Sequence, residues 1–236
     1  MLPAAVRLCL AILTFLAALL PSALANVEKT VFVSPSAVAV PNVRPGLQDL
    51  RLTSLSPHAH VLRTLIPVAF PSDDAPRGLD YWYLLTELTP GQRYEVRICW
   101  LATQPTTFWL DAYPLADVFE TPELITALAS FSESIPESKP IADDGKAPNS
   151  GEASASALFL RIQAAADFYS TNQTLMSDPP DVKVDIILDP YVLSAIPRSL
   201  IPTGIYIIAF AVGAWYFSSF IVSWASAIEP PKAHTE

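Results

Sequence analysis

The sequence predicts a mainly β protein: an antiparallel β-sandwich preceded by an export signal and followed by one membrane helix. Three observations carry this. Short runs of alternating apolar and polar residues recur through the middle of the chain. Clusters of turn residues separate them at the spacing of a two-sheet protein. The remaining apolar residues crowd into two long runs near the termini.

Those terminal runs explain the composition. Of 236 residues 51% are hydrophobic and only 16% charged, yet 20 of the first 25 and 21 of the 29 from 200 to 228 are apolar. The middle segment has ordinary globular composition and carries the whole formal charge of −9, with 12 Lys and Arg against 21 Asp and Glu. Such an acidic chain excludes nucleic acid as a partner, because phosphate binding requires clustered cations.

Residues 1–25 read as a signal peptide. Arg7 precedes an apolar run from Leu8 to Leu20, Pro21 and Ser22 break it, and Ala23-Leu24-Ala25 supplies small residues for cleavage. The run is too short to cross a hydrocarbon core of about 30 Å. The second run, 200–224, has no charge and is long enough to span, with Pro202 at its start and Tyr206 and Trp224 near its ends. The expected layout is a single-pass type I membrane protein. Residues 26–199 form its lumenal β-sandwich domain and 225–236 its cytosolic tail.

Within the domain, strands are expected over Thr30 to Val33, Leu47 to Leu55, Val61 to Phe70, Tyr81 to Leu88, Gln92 to Ala102, Thr106 to Tyr113, Ala157 to Tyr169 and Val182 to Leu188. Arg93, Glu95 and Arg97 alternate with Tyr94, Val96, Ile98 and Trp100, which predicts one wet and one buried face. Pro90-Gly91 joins two strong strands, and Tyr94 stands where its hydroxyl can bond back to that corner. This resembles the tyrosine corner of immunoglobulin/fibronectin-like sandwiches. Thr121 and Pro122 open a short helix to Phe131. Residues 132–156, rich in Ser, Pro, Ala and acids, read as a disordered acidic insertion.

The search for chemistry finds none. His58 and His60 have no accompanying ligand cluster, so no metal is expected. There is no G-x-S-x-G elbow, Walker loop, G-x-G-x-x-G or D-x-D pair, and no histidine adjoins Cys99. No catalytic residue and no cofactor are assigned, and the chain is not expected to be an enzyme. Cys99 is the only cysteine left after signal cleavage, so the domain has no internal disulfide. Asn172-Gln173-Thr174 is a glycosylation sequon, with Asn172 the acceptor.

Partner contact is the remaining expectation. Tyr81 and Tyr83 point to one face of their strand and Trp82 to the other, so either both faces are covered, one of them by a partner, or some of these aromatics are exposed. A simple sandwich core is one reading; the other adds a partner surface, with Tyr81, Trp82 and Tyr83 as candidate contacts. In the span, Ala209 and Gly213 are small residues four apart, a spacing that lets another helix approach closely.

The stretch Tyr81-Trp82-Tyr83-Leu84-Leu85, continuing through Leu88-Thr89-Pro90-Gly91-Gln92-Arg93-Tyr94 to Cys99-Trp100, resembles the fungal accessory subunits of GPI mannosyltransferase II, as does the whole-chain layout. The resemblance implies a non-catalytic protein of the endoplasmic reticulum membrane. It would bind a multi-span mannosyltransferase and support addition of the second mannose during GPI-anchor biosynthesis. An accessory subunit of the first GPI mannosyltransferase, a surface adhesion module and a secretory cargo receptor are the alternatives.

Overall fold

The computed structural model describes residues 26–36, 47, 50–135 and 156–228. The expected signal peptide, most of the acidic insertion and the last eight residues lie outside these.

Two β-sheets pack face to face. The first has the order β1 (Val27–Val33), β5 (Arg93–Trp100), β8 (Val182–Val192), β3 (Val61–Ile66), and a short β9 (Ile196–Pro197) pairs with the end of β8. The second has the order β2 (Ser54–Leu55), β4 (Leu79–Leu88), β7 (Ser156–Ala166), β6 (Thr106–Pro114). All pairings are antiparallel except β2 with β4. Their facing side chains form one core, in which Tyr94, Val96 and Ile98 of β5 and Val184, Ile186 and Leu188 of β8 meet Leu85 of β4 and Leu160 and Ile162 of β7. Period-two alternation puts these residues on one face.

Most expected strands form; β5 and β7 end two and three residues early, and two others are shortened further. β3 stops at Ile66 because Pro67 has no N–H to continue a ladder. The free Pro67 carbonyl instead accepts a hydrogen bond from the Tyr81 hydroxyl at 2.6 Å. Of the strand expected from Leu47 to Leu55, only Ser54–Leu55 pairs. Arg51 has φ of 51°, which takes the chain off an extended path, and Leu47, Leu50 and Leu52 pack beneath a helix instead.

The corner between β4 and β5 forms as its sequence suggests. The Gln92 N–H bonds to the Thr89 carbonyl at 3.1 Å, and Gly91 supplies φ of 74°. The Tyr94 hydroxyl accepts from the Thr89 N–H at 3.0 Å and donates to Gln92 Oε1 at 3.1 Å. Just before it, a bulge after Leu85 places Glu87 at φ of 56°. Gly78, at the start of β4, lies so close to β7 that an added Cβ would meet the Ala164 carbonyl oxygen at 2.1 Å. Only glycine fits there.

Two helices, α1 (Leu115–Glu120) and α2 (Pro122–Ser134), follow β6 and lie on the outer face of the second sheet. Thr121 is the N-cap of α2 and Pro122 its first residue, although the Thr121 side chain makes no capping bond. The helix runs three residues past the expected Phe131, and Ser132 Oγ ties it to the Leu50 carbonyl at 3.1 Å. At the other margin of the expected insertion, Ser156 is the first residue of β7, buried, with its hydroxyl 2.8 Å from that of Ser34. Residues 132–135 and 156 thus belong to the folded domain.

A short α3 (Gln173–Ser177) lies between β7 and β8. After β9, a 3-10 turn (Arg198–Leu200) leads into α4 (Ile201–Ile228). The segment Arg198–Trp224 is long and apolar enough to cross a membrane, and none of it is buried against the rest of the chain. At about 1.5 Å per residue, its 27 residues reach about 40 Å.

Candidate functional site

The outer face of the second sheet is closed. Trp82 is 0% exposed, enclosed by Phe159 on the same sheet and by Leu50, Val118 and Leu128 above it. Its ring meets Phe159 edge-on at 6.1 Å, and the Arg161 guanidinium lies 5.7 Å from its centroid, held there by a two-point ion pair with Asp80. Tyr83 is buried in the main core. Tyr81 is half-buried, bonded to Pro67 and packed against Phe131. The layer over this strand is therefore the chain's own α1 and α2. This corrects the expectation of a partner surface at Trp82 and Tyr83, both of which are buried within the chain itself. Burial pushes the phenols of Tyr81 and Tyr83 far above their ordinary range, so both stay protonated.

Among the described residues, no pair of helices like α1 and α2 covers the outer face of the first sheet. Pairing of Lys29 with Arg97, Val31 with Glu95 and Glu95 with Asp189 sets these side chains on it together. The alternation of β5 predicted a wet, charged face here, and the structure changes that in one respect: Glu95 is only 3% exposed. Its carboxylate accepts from Lys29 Nζ at 3.2 Å and the Tyr191 hydroxyl at 3.1 Å, and Arg97 Nη1 lies 3.4 Å from it. Arg97 also lies 3.6 Å from the buried Asp189, whose carboxylate accepts the Ser199 N–H at 3.3 Å to each oxygen. Arg97 donates as well to Ser199 Oγ at 3.4 Å. A buried acid survives only with such partners, because desolvation penalises an unpaired carboxylate.

This network had no signal in local sequence. Lys29, Glu95, Arg97, Asp189 and Ser199 come from three strands and a turn. It ties the sheet to the last residues before α4, so the sandwich is fastened to the root of the membrane-length helix through charge-assisted hydrogen bonds. Cys99 lies on the same face, half-exposed, and burial raises its thiol above the ordinary range, outweighing the lowering effect of Arg97. A thiol held protonated is a poor nucleophile.

Along α4 the side chains described are exposed, among them Tyr206, Phe210, Trp215 and Phe217. Ala209 and Gly213 lie one turn apart, and a Cβ at Gly213 would meet nothing within 4 Å. Ser219 and Ser223 return their hydroxyls to the Trp215 and Phe220 carbonyls, so their polar groups are satisfied within the helix. The sequon lies at the other end of the sandwich. Asn172 Oδ1 caps α3 by accepting the Thr174 N–H at 3.0 Å, and the residue is exposed.

Among the described residues, no group of three or more His, Cys, Asp or Glu is placed to hold a metal. The charges that do cluster are paired with one another. Fold and site together define a class: a two-sheet domain clamped, among the described residues, to one membrane-length helix. Residues 80–220, more than half of the chain, match the model of the Pga1 family, described as GPI-mannosyltransferase II co-activator, and the chain belongs to that family. It is thus a non-catalytic accessory protein of GPI-anchor biosynthesis. No curated protein matches the chain. No solved structure does either.

Proposed function

We propose that this chain is a single-pass type I subunit of the endoplasmic reticulum membrane that holds a multi-span mannosyltransferase in working form while it adds the second mannose to the GPI precursor. One observation carries the reading. The family match begins in β4, runs through the sandwich and continues deep into α4. Domain and membrane helix therefore belong to one functional unit, as a protein that engages a membrane enzyme both within and outside the bilayer requires.

In this reading residues 1–25 are removed on export, the sandwich is lumenal, and Asn172 carries a glycan at the end of the domain away from the helix root. The fold is immunoglobulin/fibronectin-like, which the hydroxyl bond of Tyr94 back to its corner supports. Ala209 and Gly213 form the close-approach point for a partner helix, supported by the open space around Gly213.

Purification of the full-length chain in mild detergent tests this. A multi-span mannosyltransferase recovered in stoichiometric amount is the expected result; the chain alone, or with surface receptors, is the opposing one. Loss of the gene is expected to accumulate a GPI precursor with one mannose, and unchanged intermediates contradict the assignment. Ala209→Leu with Gly213→Leu is expected to reduce recovery of the enzyme at unchanged expression. Asn172→Gln is expected to abolish the mobility shift produced by a glycosidase.

A further inference from the structure

The β8–β9 hairpin has a tip that its own sequence does not favour. Tyr191 pairs with Pro197 and Val192 with Ile196, which leaves a three-residue loop, Leu193 to Ala195; Leu193 and Ser194 are the central residues of a turn closed by the Ala195 N–H on the Val192 carbonyl at 3.1 Å. Both central residues have positive φ, 53° and 56°. Tight hairpins of this type use Asn-Gly or Asp-Gly, because only Gly and short polar residues enter this region readily. Here the first position is leucine, and it is 94% exposed. Backbone strain and a fully exposed apolar side chain coincide at one residue.

The surroundings hold the tip in place. The Arg93 guanidinium donates to the Ser194 carbonyl at 3.2 Å and lies 6.0 Å from the centre of the Tyr191 ring. Gln92 donates to the Tyr191 carbonyl at 3.3 Å. Strain persists in a fold only where neighbours fix it in this way. The apolar exposure also extends beyond the tip: Val192, Ile196 and Leu200 are all exposed, Ile196 at 53% and Leu200 at 50%. The exposed Arg198 sits among them.

Position identifies the occupant. The membrane-length segment begins at Arg198, one residue after β9 ends. The hairpin lies at the end of β8 nearest that root. Beyond the hydrocarbon core, each leaflet has a headgroup layer of several ångströms that accepts mixed apolar and cationic side chains. An apolar tip with an adjacent arginine, tethered this close to a span, fits that layer.

We propose that Leu193 is an interfacial membrane wedge: the hairpin tip inserts into the headgroup–acyl boundary of the leaflet on the sandwich side. Val192 and Ile196 flank the tip, and Arg198 meets lipid phosphate. The wedge gives the sandwich a second membrane contact besides α4, and two contacts fix the attitude of the domain where one leaves it free to swivel. The inference rests on α4 spanning the membrane.

The test places an environment-sensitive fluorescent amino acid at position 193, 169 or 210 of the full-length chain, reconstituted in phosphatidylcholine vesicles with nitroxides near the headgroup or near the acyl ends. Tyr169 is exposed and lies in the connection from β7 to the start of β8, at the opposite end of the sandwich, about 30 Å away at strand rise. Phe210 is in the span. The expected result is a probe at 193 quenched about twofold or more by the shallow nitroxide relative to the deep one, as an interfacial depth of about 5–10 Å requires. Position 169 stays unquenched and 210 responds to the deep nitroxide. If 210 responds and 193 behaves like 169, the wedge is refuted while the span stands. If 210 fails to respond, the span reading itself fails and the wedge with it. If 193 becomes shielded only when the mannosyltransferase is reconstituted alongside, the tip contacts protein, and the proposal is overturned. Leu193→Asn with Ser194→Gly keeps the turn and makes its tip polar. With a probe at 196, this pair is expected to lower shallow quenching at least about twofold, because the interfacial depth is lost. Unchanged quenching at 196 counts against Leu193 as the inserting residue.

Discussion

Replacing Asp189 by alanine isolates the clamp between the sandwich and the root of α4. Asp189 accepts the Ser199 N–H at 3.3 Å to each carboxylate oxygen and lies 3.6 Å from Arg97 Nη1. At an effective dielectric constant of about 20, the ion-pair attraction at that distance is about 4–5 kcal/mol. Part of this is offset by the cost of keeping a carboxylate buried, which is several kcal/mol per ion. Arg97 also retains Glu95 at 3.4 Å in the variant, so no orphaned cation is left behind. The Ser199 N–H does lose its acceptor, at about 1–3 kcal/mol. The net expected loss for Asp189→Ala is about 2–3 kcal/mol, with deprotection of the Ser199 amide. Asp189→Asn keeps an acceptor for Ser199 and loses only the charge, so about 1–2 kcal/mol is expected. Denaturant unfolding of the full-length chain in micelles gives the energies, and amide hydrogen exchange read at Ser199 gives the local effect. An alanine variant within about 0.5 kcal/mol of the parent, with Ser199 protection unchanged, would refute the clamp, because that is the range of a screened surface pair.

Other predictions concern the core and the thiol. Tyr94→Phe leaves the Thr89 N–H without its 3.0 Å acceptor, and a loss of about 1–2 kcal/mol in the same unfolding assay is expected. Trp82→Ala opens a cavity beneath α1 and α2 and is expected to cost about 3–5 kcal/mol. Trp82→Phe keeps a ring against Phe159 and removes an indole N–H that is buried without a partner among the described residues, so it is expected to cost less than half as much. Cys99 is expected to react with a neutral alkylating reagent at pH 7.5 at least about threefold more slowly than free cysteine, and to speed up as pH rises, because only the thiolate attacks. A rate equal to or above free cysteine would contradict burial as the dominant influence on that thiol.

Much of the fold was legible along the chain, for reasons that differ between elements. The membrane-length helix announces itself by length and lack of charge, the two properties a bilayer would impose. β5 declares its two faces by alternation, and the β4–β5 corner by Pro90, Gly91 and Tyr94, since turn chemistry is local. The strand expected over Leu47 to Leu55 was misread because leucines beneath a helix and leucines in a strand look alike over a few residues. The partner-contact reading of Trp82 depended on what lies above the sheet, and nothing in β4 itself records that α1 and α2 return to cover it. Glu95 read as a solvated charge because two of its partners, Lys29 and Tyr191, lie far away in sequence.

By itself, then, the sequence determined which residues share a face, which run is long and apolar enough to cross a membrane, and that no catalytic constellation is spelled out. Period, length and turn chemistry are properties of neighbouring residues, and they survive without a fold. Only the tertiary structure decided that the outer face of the second sheet is sealed by the chain's own helices. It also decided that Asp189 and Arg97 grip the root of α4, and that Leu193 stands strained and exposed beside it. Those outcomes depend on burial and on contacts between distant segments, which arise only when the two sheets pack.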